Sequence, residues 1–342
     1  MSWVAAFRMT GPPARVLVHV PARALEYAQA LTSAVLRPAK IAAPCAIEVR
    51  VGVTAAEAQS LAPWPDIFFG AGLAPEVLLE MPRLGWIQWA WAGVDRLLDH
   101  RPFAEALAQS RFRLSRAVGL FGPPLAEYVL AYCLCLTQGI PQVLEAQRER
   151  AWRRFRPGRL AGKRLGVAGL GSTGGEIARQ AARLGLEVWG CRRSGASPGP
   201  TPEGIARVFG PTQLDVFVSG LDFLVLALPL TPATRGLFSA GLLARMKPAS
   251  VLINVGRGAL VDERALVEAL RAGRPGWAVL DVFEREPLPP ESKLWSLPNV
   301  IITPHLAGLS RPDDIGDLFL HNLAAYRSGG PLAGEVRADL GY

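Results

Sequence analysis

One string constrains the fold of this chain more than any other: "KRLGVAGLGSTGGEIARQAARLG", residues 163–185. It opens with a short apolar run lacking polar alternation, as a strand buried on both faces requires. Gly169, Gly171 and Gly174 follow in a G-x-G-x-x-G spacing, and an amphipathic helix pattern then runs to a stop at Gly185. Each glycine has a task in that setting. Gly169 allows a tight turn, Gly171 lets a pyrophosphate approach the backbone, and Gly174 permits close packing of helix on strand. The amides at the helix start, around Ser172 and Thr173, then face the phosphates. A lone tight turn would not need this strand and helix around it, so the string predicts a dinucleotide-binding unit.

Strand-like and helix-like segments alternate along the rest of the chain, the pattern of a parallel α/β protein. Strands are predicted at 14–20, 46–51, 66–70 and 85–93, then at 163–171, 186–191, 222–230, 249–258, 276–283 and 299–304. A long helical stretch from the proline pair at 123–124 to about residue 153 joins the two blocks, and 311–342 reads as a helix followed by a polar tail. The expectation is an α/β chain of two doubly wound parallel-sheet domains, Rossmann- and flavodoxin-like, flanking a cleft. Residues 1–117, completed by 310–342, form the substrate domain, and residues 118–309 form the dinucleotide-binding domain.

Charge excludes less than it first suggests. The net charge is +8, but the chain has only four lysines (Lys40, Lys163, Lys247 and Lys293) and is rich in Ala, Gly, Leu and Pro. Compositional bias explains its arginines better than nucleic-acid binding does. The densest basic cluster, "RERAWRRFRPGR" (148–159), reads as an exposed helix end and linker. Cys45, Cys133, Cys135 and Cys191 are too scattered for a disulfide framework or a metal site, which fits reduced thiols in the cytoplasm. The N-terminal stretch lacks a secretory pattern, with Met1 and Met9 both candidate starts. The most apolar run, "LAEYVLAYCLCL" (125–136), is too short for a membrane span and reads as a buried helix.

The strand after the glycine loop ends in "VWGCRRSG" (188–195). A carboxylate is expected at that strand end in an NAD site, where it accepts hydrogen bonds from the adenosine ribose. Arg192, Arg193 and Ser194 stand there instead. Arginine forks bind phosphate oxygens in a bidentate way, whereas a carboxylate would repel a 2′-phosphate. The substitution points to NADP(H) as the preferred cofactor, with NAD(H) as the alternative.

Three later segments reach the carboxyl ends of predicted parallel strands, where an open α/β sheet places its ligand crevice. They are "LINVGRGALVDERAL", "LDVFEREPLPPESKLW" and "NVIITPHLAG", and they offer Arg257, Glu286 and His305. Reduction of a 2-oxo acid needs a cation for the carboxylate and the polarised carbonyl. It also needs a proton donor for the oxygen that gains charge. Arg257 suits the first role and His305 the second, with Glu286 fixing the histidine tautomer and favouring its charged form.

At these residues the chain resembles the D-isomer-specific 2-hydroxyacid dehydrogenases. "GLGSTGGEIA", "LALPLTPATRGLF", "MKPASVLINVGRGALVDERAL", "LDVFEREPL" and "TPHLAG" carry the likeness. The resemblance implies that Arg257, Glu286 and His305 are the catalytic set and that Asp281 holds the nicotinamide carboxamide. Leu228, Pro229, Val255 and Gly256 would complete the cofactor site. It also implies that the amides of Ala92 and Gly93, in "WAWAGVDRLL", grip the substrate carboxylate, with Trp91 beside them. "REPLPPESKLW", "TPHLAGLSRP" and "GEVRADLGY" are similar to the bacterial glyoxylate/hydroxypyruvate reductase branch, which commonly uses NADPH. Thr173, usually aliphatic in the family, and Gly256 are the departures. The implied protein is a homodimer through the cofactor domain, acting on a small 2-oxo acid. The alternatives are a dehydrogenase for another 2-hydroxy acid and a nicotinamide-sensing, corepressor-like binding protein.

Other residues have plainer readings. His19 belongs to a core strand and His100 to a polar turn. Asp95 caps a helix beginning at Arg96 and Asp262 caps the helix of "ERALVEAL". Arg311 follows His305 closely enough to reach the cleft, and reads equally as an exposed helix-start residue. Trp86, Trp89 and Trp91 alternate at strand spacing, two for the core and one, Trp91, for the cleft.

Overall fold

The structure, a computed structural model, describes residues 2–5, 13–35, 47–195 and 203–338; Met9 and Cys45 lie outside the described residues. The chain divides into two compact units, Met1–Leu120 with Ser310–Tyr342, and Phe121–Leu309.

The first unit holds strands β1 (Ser2–Ala5), β2 (Ala14–His19), β3 (Ile47–Val51), β4 (Ile67–Gly70), β5 (Trp86–Trp89) and β6 (Arg113–Arg116) in the order β1-β3-β2-β4-β5-β6. Five of them are parallel in the doubly wound flavodoxin-like order, and β1 adds an antiparallel edge. β2 and β4 carry fully buried Val16, Leu17, Phe68 and Phe69, as strands covered on both faces must. The helix Pro312–Arg327 packs on the helix Ala24–Val35, and Phe319 stacks on Trp86 with ring centroids 5.0 Å apart. Buried polar groups tie that helix to the sheet. Trp86 donates to Ser115, Ser115 to Gln88 Oε1, and Asn322 Nδ2 to the same Gln88 oxygen at 2.8 Å. The segment after the helix is less polar in its packing than its sequence suggests: Leu332 and Val336 are buried, and Glu335 pairs with Arg113.

The second unit holds β7 (Arg164–Ala168), β8 (Glu187–Cys191), β9 (Arg207–Phe209), β10 (Phe223–Leu226), β11 (Val251–Asn254), β12 (Trp277–Leu280) and β13 (Val300–Ile302). All seven are parallel, in the order β13-β12-β11-β10-β7-β8-β9. This is the Rossmann order with one extra strand, and its topological switch point lies between β7 and β10.

The stretch expected to be one long helix is two, Gly122–Thr137 and Ile140–Arg148, broken at Gly139 with φ +66°. Its apolar run is not buried all round. Leu125, Ala126, Val129, Leu130 and Cys133 are buried, whereas Leu134 is exposed and Cys135 is half-buried. No single helix among the described residues is long and apolar enough to cross a membrane. Asp262 caps its helix by accepting from Ala265 N, but Asp95 lies inside the first turn of a helix whose N-cap is Val94.

Candidate active site

The registers of the second unit line up one row of residues across the carboxyl edge of the sheet. Cys191 faces Ala168, Ala168 faces Leu226, Leu226 faces Asn254, Asn254 faces Leu280, and Leu280 faces Ile302. Every cofactor and catalytic residue expected in this unit lies beyond that row, in a loop or in the first turn of the helix Ser172–Arg183.

Beyond β7, Gly169 has φ +101°, and a Cβ there would lie 2.6 Å from Ala227 O. A Cβ on Gly174 would lie 1.8 Å from Gly169 O, so the helix Ser172–Arg183 sits on the turn with no room for a side chain. At Gly171 a Cβ would meet nothing within 4 Å. Gly171 is also the N-cap of that helix and supplies no side-chain cap, leaving the first-turn amides of Ser172, Thr173 and Gly174 for an anion. An open glycine face before an uncapped helix start, at the switch point, fits a dinucleotide pyrophosphate.

Beyond β8, Arg192 is half-buried, and Arg193 and Ser194 are exposed. Arg192 N donates to Phe209 O at 3.1 Å and its Nε to Gly195 O at 2.8 Å, which folds the loop back on itself. Beyond β10, Leu228 is half-buried and Pro229 exposed, with Pro229 O accepting from Thr234 Oγ1 at 2.8 Å.

Beyond β11, Val255 N donates to Leu226 O, and Asn254 clamps the turn that follows. Its Oδ1 accepts from Gly256 N at 3.1 Å and its Nδ2 donates to Arg257 O at 2.9 Å. A Cβ on Gly256 would lie 3.1 Å from Leu228 O and 2.9 Å from Leu260 Cδ1, so glycine at this position allows the loops to close together. Arg257, extended and half-buried, donates from one terminal nitrogen to Gly256 O at 2.7 Å.

Beyond β12 and β13 the loops interlock. Glu286 accepts from Phe283 N at 3.0 Å on one oxygen and pairs with His305 Nδ1 at 2.8 Å on the other. Burial pushes the Glu286 carboxyl up. Hydrogen bonds from His305 and Phe283 N, with the charges of His305 and Arg257, outweigh this and hold it below its ordinary value. An ionised Glu286 can only accept, so the proton in that bond is on Nδ1, and Nε2 is the nitrogen left to exchange one. His305 has φ +51°, and its side chain is half-exposed. Asp281 is buried, and three donors converge on it: Thr303 Oγ1 at 2.6 Å, Leu306 N at 2.9 Å and Ala307 N at 3.0 Å. A carboxylate has about four acceptor positions, so one remains for a carboxamide.

Sequence reasoning missed Asn254 and Thr303. Both lie within the motifs it singled out, but they act through sequence-distant or backbone partners. In the first unit, Trp86 and Trp89 are buried, whereas Trp91 is 43 % exposed and meets Trp89 edge-on with centroids 5.8 Å apart. Ala92 O accepts from Arg116 and Gly93 O from Trp89 Nε1, so the loop's carbonyls face inward. Buried His19 pairs through Nδ1 with Gly52 O, His100 faces Glu76, and Arg311 is an exposed N-cap residue. Among the described residues no group of His, Cys, Asp and Glu side chains is placed to hold a metal ion.

Residues 130–307, just over half of the chain, match the model of the D-isomer specific 2-hydroxyacid dehydrogenase NAD-binding domain. A glyoxylate/hydroxypyruvate reductase A from Serratia proteamaculans is 31% identical over 268 residues, covering 78% of this chain and 84% of that protein. Two solved structures superpose along nearly the whole length. One is an NADPH-dependent glyoxylate/hydroxypyruvate reductase from Sinorhizobium meliloti in complex with NADP and sulfate. It has a TM-score of 0.83 and 32% identity, covering 96% of this chain and 100% of that one. The other is a D-isomer specific 2-hydroxyacid dehydrogenase from Xanthobacter autotrophicus in complex with NADPH and MES. Its TM-score is 0.82 at 30% identity, with 97% and 100% covered. The glycine loop, the Rossmann strand order and these matches agree: the chain belongs to the D-isomer specific 2-hydroxyacid dehydrogenase family of NAD(P)-dependent oxidoreductases.

Proposed function

We propose that this enzyme reduces a small 2-oxo acid, glyoxylate or hydroxypyruvate, to the 2-hydroxy acid, with NADPH as its preferred cofactor and NADH as the alternative. The His305–Glu286 pair carries the reading, because it leaves one imidazole nitrogen to deliver a proton while the other is held by a carboxylate. Arg192, Arg193 and Ser194, in place of an acid beyond β8, support the NADPH preference. The NADP(H) complexes of the relatives from S. meliloti and X. autotrophicus support it as well.

When bound, NADPH supplies the hydride that adds to the carbonyl carbon of the substrate. The chain provides the rest. Arg257 binds the carboxylate and polarises the carbonyl, and His305 gives its Nε2 proton to the carbonyl oxygen as charge develops there. Glu286 stabilises the imidazolium before transfer and keeps Nδ1 protonated throughout. The amides from Ser172 to Gly174 hold the pyrophosphate, with Gly171 clearing its path and Gly169 making the turn before it. Leu228, Pro229, Val255 and Gly256 line the cofactor, and Asp281 accepts from its carboxamide. The roles of Trp91, Ala92 and Gly93 toward the substrate carboxylate belong to the same proposal.

We place the enzyme in the cytoplasm, in keeping with the free thiols of Cys133, Cys135 and Cys191. Its partner is a second copy docked through the cofactor domain, with no role for nucleic acid or membrane. The exposed side chains of Leu134, Ile140, Val143, Leu144, Trp152 and Phe155 support that docking.

Oxidation of NADPH and NADH with glyoxylate, hydroxypyruvate, pyruvate and phenylpyruvate tests the reading. NADPH-dependent turnover of the two small acids is expected, and His305→Ala should lower kcat by about 10²–10⁴-fold while leaving cofactor binding in place. Tight NADPH binding without turnover of any 2-oxo acid would instead identify a nicotinamide-sensing protein.

A further inference from the structure

We infer that Tyr128 and Thr303 are positioning residues for the His305 proton donor, acting through Asp281. This rests on the proton-donor role proposed above. His305 adopts a left-handed backbone conformation, which costs a non-glycine residue free energy and persists only where its surroundings impose it. Those surroundings converge on Asp281. The amide of His305 donates to the Asp281 backbone carbonyl at 2.9 Å, and the next two amides, of Leu306 and Ala307, donate to the two carboxylate oxygens. Three successive N–H groups therefore close around one residue, the concave backbone arrangement that binds anions elsewhere.

The orientation of Asp281 is set from the other side. Thr303, one-tenth exposed or less, donates its only hydroxyl proton to Asp281 Oδ1 at 2.6 Å. Tyr128, on the helix Gly122–Thr137, lies 2.6 Å from the same Thr303 oxygen. Because the threonine proton is already directed to Asp281, Tyr128 must be the donor in that contact. Burial pushes the phenol up, which keeps this donor protonated. A directed chain thus runs from Tyr128 to Thr303 to Asp281 and ends on the turn that aims His305. The Thr303 backbone carbonyl also accepts from the His305 amide at 3.1 Å, but the Thr303 hydroxyl bonds to Asp281 and the Tyr128 phenol to Thr303, so both side chains act at one remove.

The test compares full-length Tyr128→Phe, Thr303→Val and Thr303→Ser with His305→Asn, by steady-state reduction of glyoxylate with NADPH, NADPH binding by fluorescence, and melting temperature. Displacing a catalytic group by about an ångström costs on the order of 10²-fold. Thr303→Val is therefore expected to lower kcat about 10–100-fold and Tyr128→Phe about 3–10-fold. KM and NADPH affinity should stay within about threefold in both, and Thr303→Ser should recover most of the loss. Full kcat in Tyr128→Phe and Thr303→Val, beside an inactive His305→Asn, would overturn the positioning chain and leave the proton-donor reading standing. A fall in NADPH affinity that matches the fall in kcat would also overturn it, since Asp281 would then be set for the cofactor alone. Normal turnover in His305→Asn would remove the underlying reading. If Thr303→Val does not fold, Tyr128→Phe decides, because it keeps the ring and deletes only the hydroxyl.

Discussion

A Cβ on Gly258 would lie 1.8 Å from the carbonyl carbon of Phe283. The turn carrying Arg257 is thus pressed against the loop carrying Glu286, backbone to backbone, with no side chain between them. Phe283 N is also a donor to Glu286, so one contact helps place both charged groups.

Gly258→Ala should therefore disturb the site and the fold together. The clash is with backbone, which cannot swing away as a flexible side chain can, and overpacking of this kind costs about 1–3 kcal/mol or more. Thermal denaturation is expected to show a lowered Tm, with kcat reduced at least about tenfold in the folded fraction. Unchanged Tm and kcat would mean that the two loops do not meet in this way.

Cofactor choice should follow the loop beyond β8. Charge-assisted hydrogen bonds to a phosphate are each worth about 1.5–3 kcal/mol, so removing both guanidinium groups is a large change. In the Arg192→Ala, Arg193→Ala double variant, KM for NADPH should rise at least about tenfold. KM for NADH should stay within about threefold, since NADH has no 2′-phosphate for the arginines to hold. Equal losses for both cofactors would show that the pair only shapes its loop, through contacts such as Arg192 Nε to Gly195 O.

Strands that end at the site were legible because each is a continuous apolar run closed by glycine, proline or charge, as in "LINVGRG" and "NVIITPH". Strands β1, β6 and β9 were not. β6, "RLSR", is an edge strand whose half-exposed Arg113 and Arg116 flank buried Leu114 and Ser115, and a short polar edge looks like loop. Arg257, Glu286 and His305 stood out because each follows the end of a strand in a parallel sheet, and the structure pairs Glu286 with His305. The tasks of Gly258, Asn254 and Thr303 were hidden in their partners. Gly258 meets Phe283, and Thr303 meets Asp281, so only the folded chain reveals why those residue types are needed.

Acid stability should depend on Asp66. Arg15 grips its carboxylate in a bidentate pair at 2.8 and 2.9 Å and, as the main cause, holds it below its ordinary value. A carboxylate lowered by folding contributes stability that is present above its unfolded pKa, near 4, and is lost as pH falls through the folded value. Asp66→Asn should cost about 1–2 kcal/mol in urea unfolding at neutral pH, allowing for partial exposure of the pair. The gap between variant and parent should close as the pH is lowered below the ordinary carboxylate range. A gap independent of pH would assign the loss to packing rather than charge.

The last prediction concerns assembly. Beyond the helix break at Gly139, the segment 151–159 folds back, so that Gln138 donates to Gly158 O and the Phe155 ring lies against Gly139. This sets Phe155 beside the start of the helix Ile140–Arg148, whose Ile140, Val143 and Leu144 are exposed, while Trp152 is 90 % exposed. Large apolar side chains are rarely left in water together on a monomer, and a stable interface buries about 1,200–2,000 Å² in total with aromatic residues as anchors. The arginines interleaved with them, at 153, 154 and 156, would form the polar rim. Light scattering after size exclusion should give a dimer for the parent. Leu144→Asp and Trp152→Ser should shift it toward monomer without unfolding it, because both side chains face solvent in the single chain. A monomeric parent at micromolar concentration would remove the dimer, and a dimer indifferent to both substitutions would place its interface elsewhere.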